Sequence, residues 1–102
     1  MINHTTKTKL MRNWGEQADA MNCFTEVKFI DPLSNWACYI YALNPDNQDD
    51  IACLIHTDEV DICDWSLKEL YSSYNSEGEH PEIDTEFRPV LTSYLFKKLS
   101  NE

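Results

Sequence analysis

The chain has 102 residues, 42% of them hydrophobic and 12% aromatic, enough for a core without metals or disulfides. Eighteen acidic residues stand against eight basic ones, a formal net charge of −10. Repulsion at that charge argues against direct binding to nucleic acid or to an anionic membrane, since such binding is normally driven by Lys and Arg replacing counterions.

A basic partner is the natural electrostatic complement; the plainer reading is that the charge keeps a small protein soluble. No apolar run is long enough to span a bilayer, and the opening MINHTTKTK lacks the apolar stretch of a signal peptide. The expectation is therefore one soluble, cytoplasmic domain over residues 1–102. Cys23, Cys38, Cys53 and Cys63 form no C-x-x-C pair and sit among aromatic and aliphatic neighbours. They read as buried free thiols, not as a zinc site or a disulfide framework.

In chain order, Leu10, Trp14, Ala18 and Met21 recur at helical spacing and predict a helix over Thr6 to Met21, with Gly15 a weak point within it. Cys23 to Ile30 alternates as a strand does. The turn-forming run Asp31-Pro32-Leu33-Ser34-Asn35 leads into a second strand, Trp36 to Leu43, so an antiparallel hairpin is expected. Asn44 to Asp50 reads as a loop, Ile51 to Ile55 as a short apolar strand and Val60 to Cys63 as another. Asp64-Trp65-Ser66 introduces a helix over Leu67 to Tyr74, with Ser66 and Glu69 spaced for a capping box. Asn75 to Pro81 is a polar loop and Glu82 to Phe87 a further strand. After Pro89, Val90, Leu91, Tyr94, Leu95 and Leu99 suit a C-terminal amphipathic helix, with Lys97 and Lys98 complementing its dipole. This order indicates an α+β fold with a mainly antiparallel sheet of four or five strands, an N-terminal helix, a short middle helix and a C-terminal helix.

Motifs for chemistry are sparse. With two glycines no phosphate-cradling loop is available, and no nucleophile elbow or dinucleotide fingerprint occurs. Asn44 to Asp50 lacks the central Gly and the twelfth-position Glu of a calcium loop. His56, Asp58, Glu59, Asp61 and Asp64 form the densest run of potential Mg²⁺ ligands, and Glu26-Val27-Lys28 has the E-x-K form of a nuclease core without its upstream acidic partner. No catalytic residue, metal or cofactor is assigned from the sequence.

The distribution of charge says more. Residues 44–86 hold thirteen acids and one base, Lys68, for a net −12, whereas residues 1–30 are net +1. Apolar residues interrupt the acidic span, which therefore reads as folded strands with carboxylates facing out. Closely spaced carboxylates on a folded surface can compete with a phosphate backbone for a cationic groove. The residues expected to meet such a partner are Asp46, Asp49, Asp50, Asp58, Glu59, Asp61 and Asp64.

The runs VKFIDP, NWACYIYAL, DWSLKELY and PEIDTEFRP resemble an uncharacterised family of small proteins from plasmids, phages and other mobile elements. Its members read VKFF-P, a following W-Y strand, FSL-EL and IERD-x-x-F-x-P. Val27, Lys28, Phe29, Pro32, Trp36, Tyr39, Ser66, Leu67, Glu69, Leu70, Ile83, Asp84, Phe87 and Pro89 fall on those places; the Arg of the ERD run is absent. Family members are often encoded near anti-restriction functions. The resemblance thus implies a small inhibitor of a host defence nuclease, anti-CRISPR or anti-restriction in type. Its partner would be a basic nucleic-acid-binding protein such as a CRISPR effector or a restriction enzyme. The alternatives are a metal-dependent single-stranded-DNA nuclease and an accessory or oligomerisation protein of a mobile element, as an accessory subunit or a homodimer.

Overall fold

The computed structural model describes residues 2–15, 22–33, 36–73 and 78–101. The elements are α1 (His4–Gly15), β1 (Phe24–Thr25), β2 (Val27–Ile30), β3 (Ala37–Leu43), β4 (Asp50–His56), β5 (Val60–Ser66), α2 (Leu67–Ser72), β6 (Glu82–Ile83), β7 (Val90–Leu91) and α3 (Thr92–Ser100). The fold is α+β. An antiparallel five-stranded sheet runs in the order β5-β4-β3-β2-β6, and β1 pairs with β7 in a separate two-stranded sheet.

Side chains alternate between the faces of a strand and cross-strand partners share a face, so the register sorts the core. Val27, Phe29, Cys38, Ile40, Leu43, Ile51 and Cys53 line one face and pack with Ile2 and Leu10 from the N-terminal segment and with Leu67 and Leu70 of α2. Ala37, Tyr39 and Leu54 line the other and are covered by Leu95 and Leu99 of α3. Every residue of β3 is buried because both of its faces are covered, which explains its uninterrupted apolar run ACYIYAL.

The expected β2–β3 hairpin is present. Asp31 Oδ1 accepts the Leu33 N–H at 3.0 Å, fixing the start of the turn. The expected first strand is divided, however. Phe24–Thr25 joins β7 and Val27–Ile30 joins β3, with Glu26 at the break donating its N–H to the Ile40 carbonyl at 3.1 Å. A β-bulge between Ile40 and Ala42 leaves Tyr41 out of register in β3. Its carbonyl accepts the Asn13 side-chain amide from α1 at 2.8 Å, so the extra residue keeps its buried acceptor satisfied.

Helix α1 is described over His4–Gly15, and the expected continuation through Ala18 and Met21 lies outside the described residues. The strand expected over Glu82 to Phe87 is only two residues long. Asp84 turns the chain out of the sheet: its Oδ1 accepts the Glu86 N–H at 3.0 Å and its carbonyl accepts the Phe87 N–H at 3.2 Å. Strand β5 is longer than expected and carries Asp64, Trp65 and Ser66 in the sheet. The thiols are free, as expected; Cys23, Cys38 and Cys53 are buried and Cys63 is half-buried. Burial and the neighbouring Cys53 push the Cys63 thiol up to about 11.

A buried hydroxyl pair ties β1 of the two-stranded sheet to the start of α3. Thr92 Oγ1 donates to the Cys23 carbonyl at 2.7 Å and lies 3.0 Å from Thr25 Oγ1, with both threonines fully buried. Thr92→Val keeps the shape and leaves the Thr25 hydroxyl unpartnered, a change expected to cost about 1–3 kcal/mol in urea unfolding. The double variant with Thr25→Val as well should recover part of the loss. A double variant no more stable than the single would show that the hydroxyl pair is not the cause.

Candidate functional site

The acidic residues singled out by the sequence fall into two groups at opposite ends of strands β4 and β5. Asp46, Asp49 and Asp50 lie in or beside the β3–β4 connection, while Asp58 and Glu59 form the β4–β5 turn. Asp61 and Asp64 belong to β5 itself, three residues apart and therefore on opposite faces. Asp61 pairs with Ile55 on the α1/α2 face, and Asp64 pairs with Ala52 on the α3 face. Asp46, Asp58, Glu59, Asp61 and Asp64 are all exposed. None of these five makes an ion pair with a described residue.

Asp49 has an internal task. Its Oδ2 accepts the Ser66 hydroxyl and its Oδ1 accepts the Lys68 N–H, each at 2.7 Å, while its carbonyl accepts the Leu67 N–H at the same distance. It therefore helps to satisfy the N-terminus of α2 from outside the helix. Ser66 caps α2 by accepting the Glu69 N–H at 3.2 Å, but the reciprocal half of the expected capping box is missing. The Glu69 carboxylate instead accepts the Trp65 indole N–H at 3.0 Å.

The Ser66 hydroxyl and the Lys68 N–H both favour the charged form of Asp49 and hold its carboxyl below the usual carboxylate range. A lowered pKa in the fold means that the stabilisation is present above the unfolded value and is lost as pH falls through the folded one. Asp49→Asn should therefore unfold at a lower urea concentration than the parent at pH 7, with the gap narrowing below about pH 4. A gap that persists undiminished in acid would refute the charge-assisted cap.

Asp49, Asp50 and Asp64 line one shallow concavity with Trp65 and Ser66. The Tyr41 phenol is pushed up to about 12, by burial first and by the charge of Asp64 second. The run His56 to Asp64 does not close on itself: His56 ends β4, the turn holds Asp58 and Glu59, and the two strand aspartates diverge. Among the described residues no group of three His, Cys, Asp or Glu side chains is close enough to hold a metal ion.

Glu26 and Lys28 of the E-x-K run line a small concavity that also holds Asp84, a residue the chemical motifs had not singled out. Lys28 Nζ lies 3.7 Å from Asp84 Oδ2 and 5.4 Å from the Tyr39 ring centre, and Lys9 Nζ lies 4.0 Å from Glu26 Oε1. Each carboxylate is thus matched by a lysine. The available signal was that Lys28 and Asp84 both fall in the motifs that carry the family resemblance.

On the α3 face a larger open groove of about 650 Å³ runs past Lys28, Tyr39, His56, Phe87, Leu95 and Lys98. Its lining holds two lysines together with Asp31, and Lys28 is already paired with Asp84. No helix among the described residues is long and apolar enough to cross a membrane. Compared with family models, with curated proteins and with solved structures, the chain shows no match in any of the three.

Proposed function

We propose that the protein is a non-catalytic binder that covers a basic surface of a nucleic-acid-processing protein, of the CRISPR-effector or restriction-enzyme kind. The observation that carries this reading is the exposed row Asp58, Glu59, Asp61 and Asp64 along the outer strand and its turn, with no cation pairing among the described residues. Unneutralised carboxylates on a rigid sheet edge present negative charge at fixed spacing, as a phosphate backbone does. They steer a cationic groove toward the protein and exclude the groove's own substrate.

The test is competition. A purified restriction or CRISPR nuclease is bound to labelled duplex DNA, and the protein is titrated in at low and at high salt. Displacement that weakens as salt rises supports the reading; no displacement from any member of a panel of such nucleases at low salt overturns it.

A second reading, a metal-dependent single-stranded-DNA nuclease, draws on the meeting of Glu26, Lys28 and Asp84 in one concavity. The lysine pairing of both carboxylates makes it the weaker of the two. Cleavage of single-stranded DNA with Mg²⁺ or Mn²⁺ that Glu26→Ala abolishes would restore it.

A further inference from the structure

Strand β5 is the long open edge of the five-stranded sheet; the opposite edge, β6, has only two residues. Its backbone can be sorted residue by residue. The register places Asp50 opposite Ser66 and His56 opposite Val60. Just outside the strand ends, the Leu67 N–H bonds the Asp49 carbonyl at 2.7 Å and the Thr57 N–H bonds the Glu59 carbonyl at 3.0 Å. Directly opposed residues of an antiparallel pair alternate between hydrogen-bonded and non-hydrogen-bonded pairs. Asp61, Cys63 and Trp65 therefore spend their backbone groups on β4, whereas Val60, Ile62 and Asp64 aim their N–H and C=O at the open edge.

No described residue takes up those outward groups through its backbone. Exposed edges are commonly blunted by charged side chains, lysine above all, by proline, a bulge or shortness. This edge has no proline and no register shift against β4, it runs for seven residues, and its charges are the two aspartates Asp61 and Asp64. Asp61, Ile62 and Asp64 are exposed, with Ile62 at 40%.

We propose that β5 receives an antiparallel strand from a basic partner, which extends the sheet by one strand. The inference rests on the reading of the acidic edge as a binding surface and names how that edge is used. Charge selects the occupant. A second copy of β5 would bring two sets of carboxylates together along one seam, and like charges opposed across strands are destabilising. Lysine or arginine opposite Asp61 and Asp64 removes that repulsion and supplies the complement.

The register also fixes the order of residues. Reading the incoming strand from its N-terminal side, a cation falls opposite Asp64, any residue opposite Cys63, an apolar residue opposite Ile62 and a second cation opposite Asp61. The two cations are three positions apart and point to opposite faces of the extended sheet, matching the two aspartates. This is strand addition in which the main chain supplies affinity and alternate side chains supply specificity.

The probe is a capped peptide with Lys-Thr-Val-Lys at its centre, set against one of the same composition ordered Lys-Thr-Lys-Val. Binding is read by fluorescence anisotropy and by amide hydrogen exchange. The first peptide should bind about tenfold or more tightly than the second. On saturation it should slow exchange at Val60, Ile62 and Asp64 and leave Asp61 and Cys63 unchanged. Ile62→Pro removes an N–H that faces solvent, a position where an edge strand accommodates proline, and should weaken binding about tenfold or more. Circular dichroism reports whether that variant is folded, and the exchange pattern of the parent decides the matter if it is not.

Equal binding of the two peptides, no binding at all, or no alternating slowing of exchange overturns strand addition. A folded Ile62→Pro that binds as the parent does also overturns it. Displacement of DNA from a nuclease reports on the acidic surface separately, so the edge mechanism can fail while that reading stands.

Discussion

Reversing Asp58, Glu59 and Asp61 to lysine is expected to weaken binding to a basic nucleic-acid-binding partner about tenfold or more at low salt. The three changes move the net charge from −10 to −4, since each replaces −1 by +1. They also reverse the sign of the β4–β5 turn and the start of the outer strand. The three side chains are exposed and make no ion pair with a described residue, so the folded state should lose little, within about 0.5 kcal/mol. The effect belongs mainly to the association rate, because charges at the rim of an interface steer encounter more than they hold the complex. It should shrink as salt shortens the Debye length from about 10 Å at 0.1 M to about 3 Å at 1 M. Stopped-flow association rates of parent and variant across that range make the comparison. Equal rates at low salt would remove the electrostatic basis of the proposed function.

Phe29→Ala should cost about 3–5 kcal/mol of folding stability, a large share of the roughly 5–15 kcal/mol available to a small domain. Phe29 is 1% exposed and lies on β2 between β3 and β6, on the face that α1 and α2 cover. Its ring meets Tyr71 of α2 edge-to-face with centroids 5.5 Å apart, so the truncation opens a cavity and removes an aromatic contact together. Phe29→Leu keeps most of the volume and should cost markedly less. Urea unfolding followed by tryptophan fluorescence gives both values; a loss below about 1.5 kcal/mol for alanine would mean that the neighbours collapse into the space.

The two perturbations separate what holds the fold from what faces outward, and the same division governs what could be read from the sequence. The β2–β3 hairpin was legible because its signals are local: alternation before Asp31, a turn-forming run and an apolar strand after it. Strands β1 and β7 were not, since two residues carry no periodicity and their pairing spans the length of the chain. The early end of β6 was hidden for a related reason. Phe87 suits a strand, but it serves the core from a turn, packing on Tyr39 with ring centres 5.8 Å apart.

Among the acidic residues, composition foretold outward-facing carboxylates but not their tasks. Asp49 looked like its neighbours, and only the meeting of the β3–β4 loop with the start of α2, seventeen residues on at Ser66, shows it as a cap. Asp61 and Asp64 were legible only as members of the acidic run, and their placement on two faces of one strand followed once β5 proved to run through Ser66. The open edge between them could not be read from composition, because which strand lies outermost is a property of topology.

The junction of Thr25 with Thr92 has a consequence for how the molecule is assembled as it is made. The strands from β2 to β5 pair with their neighbours in sequence, so this meander can form as soon as it emerges. The outer neighbour of β2, the partner of β1 and the cover for Tyr39 and Leu54 all come from residues after position 81. Until those arrive, a nascent chain with its first hairpins in place still shows one bare apolar face and an unguarded β2. The hydroxyl contact across 67 positions is therefore among the last to close. A chain cut short before α3 would keep much of its sheet and behave as a sticky intermediate, a client for chaperones more than a smaller version of the protein.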